Sequence, residues 1–133
     1  MRVLQHPAIG GFRSHCGWNS TRDVFNAVPF LASPIAMDQP LNSKYIAEDW
    51  KVGWRVKTEI EQGILIKRDE IASLLKKFMD LDSDEVRDMR ERVKQLQQLC
   101  QNSIACGGSS ETNLNVFLGH ILLVDKPYNK SMF

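Results

Sequence analysis

The stretch Gly10-Gly11-Phe12-Arg13-Ser14-His15-Cys16-Gly17-Trp18-Asn19-Ser20-Thr21-Arg22-Asp23 decides the reading of this chain. A short apolar run from Gly11 to Ser14 reads as a strand ending at His15, and a helical pattern begins near Ser20. A strand that feeds a helix N-terminus makes an anion site, because the amides of the first turn lack intrahelical acceptors and the helix dipole is positive there. Gly17 permits close approach of the backbone, and Asn19 and Ser20 add side-chain donors to the same place. Neither a P-loop nor the GxGxxG fingerprint is present, so a phosphate here would be held differently. Each residue also has a plainer reading. Asn19 or Ser20 can cap the helix, and Ser20-x-x-Asp23 resembles a capping box with Asp in place of Glu. His15 alone reads as a satisfied, partly buried histidine, Trp18 as a core residue, and Asp38-Gln39 as a turn ahead of Pro40.

Outward from this stretch, short apolar runs alternate with helical patterns up to about residue 57, the order that gives parallel strands joined by helices. Val3 to Ala8 reads as a short helix or turn, Ser20 to Asn26 as a helix, and Pro29 to Ser33 as a second buried strand. Leu41 to Trp50 reads as another helix, and Gly53 to Lys57 as a third strand. From Lys67 onward the pattern is helical only. Ile71, Leu74, Leu75 and Phe78 recur at helical spacing, and Val86, Met89, Val93, Leu96 and Cys100 form one stripe over Asp84 to Ala105. That stripe fits a core-facing helix, with a three-heptad coiled coil as the alternative. Gly107 and Gly108 stop it, and Ser109 or Ser110 with Glu111 can cap a last helix through Asn113 to Leu123. The expected organisation is one partial domain over 1–125, α/β over 1–57 and helical over 67–124, followed by a loose tail at 126–133.

With 133 residues, 43% apolar and 25% charged, the chain is long enough for one domain-sized core. The net charge of +1 comes from well-mixed acids and bases, which argues against a nucleic-acid or anionic-membrane partner. Cys16, Cys100 and Cys106 are odd in number and lack metal-ligand spacing, and neither a secretory h-region nor a membrane-spanning run appears. A reduced, cytoplasmic setting without a metal site is expected. His15 beside Cys16 suggests a Cys-His nucleophile, but neighbours on a strand point to opposite faces, so a small buried cysteine is the better reading.

Joint order and spacing go further than any single residue. Val3-Leu4-x-His6-x-Ala8-x-Gly10-Gly11-Phe12, His15 to Ser20, Val28-Pro29, Pro34 and Asp38-Gln39 together resemble the signature box of plant UDP-dependent glycosyltransferases. Asn42, the GWRVK strand and GGSS before the final helix extend the likeness. The resemblance implies a GT-B fold, two Rossmann-like domains facing a cleft, with this chain forming most of the second half of the C-terminal, UDP-sugar-binding one. It implies that His15, Asn19, Ser20 and the backbone around Gly17 and Trp18 bind the diphosphate. It places Asp23 at the ribose and Asp38 and Gln39 at the sugar hydroxyls. Neutral donors at the diphosphate suit metal-independent transfer with no cofactor beyond the donor, and Gln39 points to UDP-glucose.

Three departures from the family pattern bear on this expectation. Asp23 stands where the family has glutamate and reaches about 1.5 Å less far. Ala27 stands where the family has glycine; if a positive φ is needed there, alanine costs about 1 kcal/mol unless Asn26 takes the strained conformation. The tryptophan that stacks on uracil and a nearby glutamine would precede Met1, as would the N-terminal domain with its acceptor pocket and histidine base. The expected function is therefore that of a glycosyltransferase-family polypeptide holding part of a donor site, inactive by itself. The alternative is a non-catalytic remnant or truncated product with weak diphosphate binding, and an unrelated α/β regulatory domain is a third reading.

Overall fold

A computed structural model describes residues 3–56 and 66–124. The chain divides into two compact units, Met1–Gln97 and Gln98–Phe133. The first holds a three-stranded parallel sheet of β1 (Phe12–Ser14), β2 (Phe30–Ala32) and β3 (Gly53–Arg55), in that order. The register pairs Phe12 with Phe30 and Phe30 with Gly53. Between β1 and β2 lie α1 (Trp18–Thr21) and a 3₁₀ continuation, Arg22–Asn26. Between β2 and β3 lie α2 (Gln39–Lys44) and a π turn, Tyr45–Asp49, closed by the Trp50 amide donating to the Tyr45 carbonyl at 2.8 Å. The expected alternation of strands and helices is thus present, with β1, β2 and β3 shorter than predicted. Lys57, the expected end of the third strand, lies outside the described residues, as does the 126–133 tail.

The central strand is buried on both faces, which is why Phe30-Leu31-Ala32 is a continuous apolar run rather than an alternating one. Successive side chains point to opposite faces. Phe30 packs edge-on against Phe12, with ring centroids 5.5 Å apart. Leu31 joins the opposite core with Val56, Phe78, Val86 and Met89, and Trp54, Ile66 and Leu74 flank it. Phe78 ends α3 (Arg68–Phe78), and Val86 and Met89 belong to α4 (Asp84–Ile104). The Glu70 carboxylate accepts from the Lys67 amide at 2.8 Å and fixes the start of α3. Arg90 and Gln97 tie α4 to the sheet half of this unit, donating to the carbonyls of Gly10 at 2.7 Å and Phe25 at 2.5 Å. The α4 stripe is therefore a core-facing helix over Val86, Met89 and Val93. Of the expected α3 stripe, Phe78 is buried and Leu74 partly so, whereas Ile71 and Leu75 are exposed.

In the second unit, α5 spans Ser109–Val124, close to the start expected from a cap at Ser109 or Ser110. The Ser109 and Ser110 hydroxyls do not cap it; they meet Ser103 Oγ at 2.8 and 2.7 Å. Glu111 reaches back to the Gly107 amide instead.

The positive-φ question at the α1 exit resolves onto alanine, since Ala27 sits at φ 55°, ψ 35° and Asn26 remains in the 3₁₀ segment. A Cβ in the left-handed region is strained by about 1 kcal/mol. Ala27→Gly is expected to raise stability by roughly 0.5–1 kcal/mol, the relief of strain being partly offset by the freer unfolded chain. Urea titration of the two proteins checks this; a destabilised glycine variant would show that Ala27 is held by packing.

Candidate functional site

The carboxyl ends of β1 and β2 and the turns that follow them lie at one end of the parallel sheet, the place where open α/β sheets bind ligands. The β1–α1 turn carries His15, Gly17, Trp18, Asn19 and Ser20. Helix α1 begins at Trp18, earlier than the expected Ser20, because Gly17 is its N-cap and the Thr21 amide donates to the Gly17 carbonyl at 2.9 Å. No side chain caps it. This overturns the reading of Asn19 or Ser20 as caps: both lie inside the first turn, and the amides of Trp18, Asn19 and Ser20 have no acceptor among the described residues. Three amides of the first turn are thus left without an acceptor, the kind of donor set that can bind an anion. Trp18 is 59% exposed, so its core reading fails as well.

His15 is exposed, and its ring folds over Gly17. A Cβ on Gly17 would lie 2.6 Å from His15 Nε2, so only glycine leaves the imidazole in this place. Cys16 is fully buried and left-handed at φ 65°; its thiol donates to the Ser14 carbonyl at 3.6 Å and has no hydrogen bond to His15. Burial pushes the Cys16 thiol up, outweighing the lowering by the Ser33 backbone and Arg55. A thiol kept protonated in this way is a packing group rather than a nucleophile.

The β2–α2 turn carries Asp38 and Gln39. Gln39 Oε1 accepts from the amides of Ile35 at 2.8 Å and Ala36 at 3.1 Å, which closes the turn on its own side chain and leaves the Gln39 amide nitrogen as donor. Exposed Asp38 accepts from Asn42 Nδ2 at 2.7 Å through Oδ2. The same Asn42 nitrogen donates to the Cys16 carbonyl at 2.9 Å, so one buried amide joins the two turns. Asp23, partly buried in the 3₁₀ segment, accepts from Asn26 Nδ2 at 3.3 Å. The structure therefore joins the His15 turn to Asp38 and Gln39, with Asp23 just beyond α1. Asn42 stood in the sequence only as part of a family likeness. Nothing local marked its role, because its partner at Cys16 is 26 residues away.

Residues 1–97 match the family described as UDP-glucoronosyl and UDP-glucosyl transferase. The chain belongs to that family. UDP-glycosyltransferase 87A2 of Arabidopsis thaliana is 44% identical to it over 122 residues, which cover 91% of this chain and 27% of that protein. Flavonol 7-O-beta-glucosyltransferase UGT74F1 of the same plant is 43% identical over 91% of this chain and 26% of its own length. Among solved structures, Os79 from O. sativa in complex with UDP and deoxynivalenol-3-glucoside aligns at a TM-score of 0.80 and 39% identity, covering 90% of this chain and 27% of that one. Glycyrrhiza uralensis UGT73P12 aligns at 0.82 and 30% identity, over 92% and 26%. This UDP-glycosyltransferase chain thus spans about a quarter of the length of the relatives it matches. Its sheet and helices are part of a GT-B fold, and none of its described helices is long and apolar enough to cross a membrane.

Proposed function

We propose that this chain forms the diphosphate and sugar side of a UDP-sugar site. The complete protein would transfer glucose from UDP-glucose to a small-molecule hydroxyl with inversion. The observation that carries the reading is the β1–α1 turn, where Gly17 caps α1, the amides of Trp18, Asn19 and Ser20 have no acceptor among the described residues, and the His15 imidazole lies against Gly17. Solved relatives in complex with UDP support it. In this reading His15, Asn19, Ser20 and the Gly17–Trp18 backbone hold the diphosphate. Asp38 and the Gln39 amide nitrogen meet the sugar hydroxyls. Asp23 faces the ribose at the reach its shorter side chain allows.

The chemistry follows from where charge develops. An acceptor oxygen attacks the anomeric carbon as the bond to the phosphate oxygen breaks, the acceptor proton passes to a base, and UDP leaves with the bonding electrons. Donors fixed at the β-phosphate stabilise that leaving group without reorganising. No residue here is assigned as the base; that role belongs to the remainder of the full-length fold. Acceptor selection belongs there too. The partners in this reading are the UDP-sugar and, for the whole protein, a small acceptor molecule. A reduced, cytoplasmic setting rests on the cysteine pattern.

Calorimetry with UDP and uridine tests the site. UDP is expected to bind more tightly than uridine, and Ser20→Ala to weaken UDP by about tenfold, the loss of one hydrogen bond to a charged group. Equal affinity for uridine and UDP would remove the diphosphate from this turn.

A further inference from the structure

The turn after β1 is held in a conformation its sequence disfavours. Cys16 has a side chain yet sits at φ 65°, a region in which non-glycine residues persist only when their surroundings over-determine them. Its carbonyl accepts from Asn42 Nδ2 at 2.9 Å and from Thr21 Oγ1 at 3.3 Å. That carbonyl belongs to the peptide leading into Gly17, so fixing its direction also fixes where α1 starts and where its free amides lie. The second hydrogen of Asn42 Nδ2 goes to Asp38 Oδ2 at 2.7 Å. An amide nitrogen has two hydrogens, and both are used. Aspartate at this position would face a carbonyl oxygen and a carboxylate with no hydrogen to donate to either at neutral pH. Leucine would match the shape and remove the donor that Asn42 supplies to each, leaving the Cys16 carbonyl only Thr21 Oγ1.

We infer that Asn42 is a positioning residue that holds the phosphate-side turn and Asp38 in one fixed relation. The inference rests on the UDP-sugar reading for its consequence in binding, and on the two hydrogen bonds alone for its consequence in structure. Asn42 touches no ligand in this scheme; it acts through Cys16 and Asp38. Ser43 is the natural control. It is the next residue on α2, is fully buried, and donates to the Pro40 carbonyl at 2.8 Å without reaching the β1–α1 turn.

The test compares the 133-residue chain with Asn42→Ala, Asn42→Ser and Ser43→Ala, at a temperature well below the melting point of each. Two readouts are taken: UDP affinity by calorimetry, and amide hydrogen exchange at Thr21, Phe30 and Val56. Asn42→Ala is expected to weaken UDP by roughly tenfold and to speed exchange at Thr21 by a similar factor, as for a lost buried hydrogen bond. Phe30 and Val56, whose amides donate to Val52 and Ala32, should keep wild-type exchange. Asn42→Ser can donate to one acceptor only and should fall between, which serves if the alanine variant does not fold. Ser43→Ala should leave UDP affinity unchanged. Wild-type affinity in Asn42→Ala, or exchange at Thr21 rising only in step with Phe30 and Val56, would overturn the inference and leave Asn42 a stability residue. A wild-type chain that binds no UDP would instead refute the proposed function, and the exchange pattern would still decide the role of Asn42.

Discussion

Phe78→Ala is expected to destabilise the first unit by about 3–5 kcal/mol. The ring is 2% exposed and closes the cluster of Leu31, Val56, Val86 and Met89 against the β2 face. It meets Trp54 edge-on at 5.6 Å between centroids, and Lys77 Nζ lies 4.7 Å from the centroid of the Trp54 ring. Removing it takes away the transfer energy of an aromatic side chain and leaves a void beneath two helices that cannot both move in. Gly11 shows how tightly the site is filled, since a Cβ there would fall 2.2 Å from Phe78 Cε1. Chemical denaturation followed by tryptophan fluorescence measures the effect, with Trp54 as the local reporter. A loss under about 1 kcal/mol would mean that α3 does not form this core in solution. Ordinary domains have only about 5–15 kcal/mol in hand, so a loss of this size would leave a chain at the low end of that range close to unfolding.

Most of the fold was legible because it rests on local pattern. The run Phe30-Leu31-Ala32, the punctuation by Gly10-Gly11 and Pro29, and the helical spacing of Val86, Met89 and Val93 gave strands and helices in the right order. The errors came at element ends, where backbone geometry rather than side-chain chemistry decides. The sequence points to a start of α1 near Ser20 because Asn19 and Ser20 are good capping residues, whereas the glycine cap at Gly17, with no side-chain bond, carries no such signal. At the start of α5 the difference lies in the cap itself: Glu111 serves the Gly107 amide, and the neighbouring serines bond to Ser103.

The candidate site was legible through joint spacing rather than through any one residue. Local chemistry leaves anion binding and capping open at Asn19 and Ser20; the placement of Gly17 as the N-cap removes only the capping reading. Asn42 shows the opposite case. A buried asparagine on a helix could bond anywhere, and only the fold brings Cys16 and Asp38 to the same nitrogen. The left-handed turn at Cys16 was equally invisible, since cysteine has no special preference for that region.

His15→Ala is expected to weaken UDP binding by about ten- to a hundredfold, the loss of one hydrogen bond to a charged phosphate oxygen, roughly 1.5–3 kcal/mol. Gly17→Ala should reproduce most of that loss without touching the imidazole itself. The backbone at Gly17, φ −60° and ψ 151°, is open to any residue, so the substitution creates no torsional strain. The atoms nearest the added methyl are all in the His15 ring, at 2.6, 3.3 and 3.5 Å. That ring is on an exposed side chain and can swing away, so folding stability should change by no more than about 1 kcal/mol, the scale of an altered N-cap. Because both substitutions act on one group, their effects should not add: in a His15→Ala background, Gly17→Ala should alter UDP affinity by less than about twofold. Calorimetry on the two single variants and the double variant completes the cycle. Additive losses would make the methyl group itself, rather than the displaced imidazole, the cause of the weaker binding.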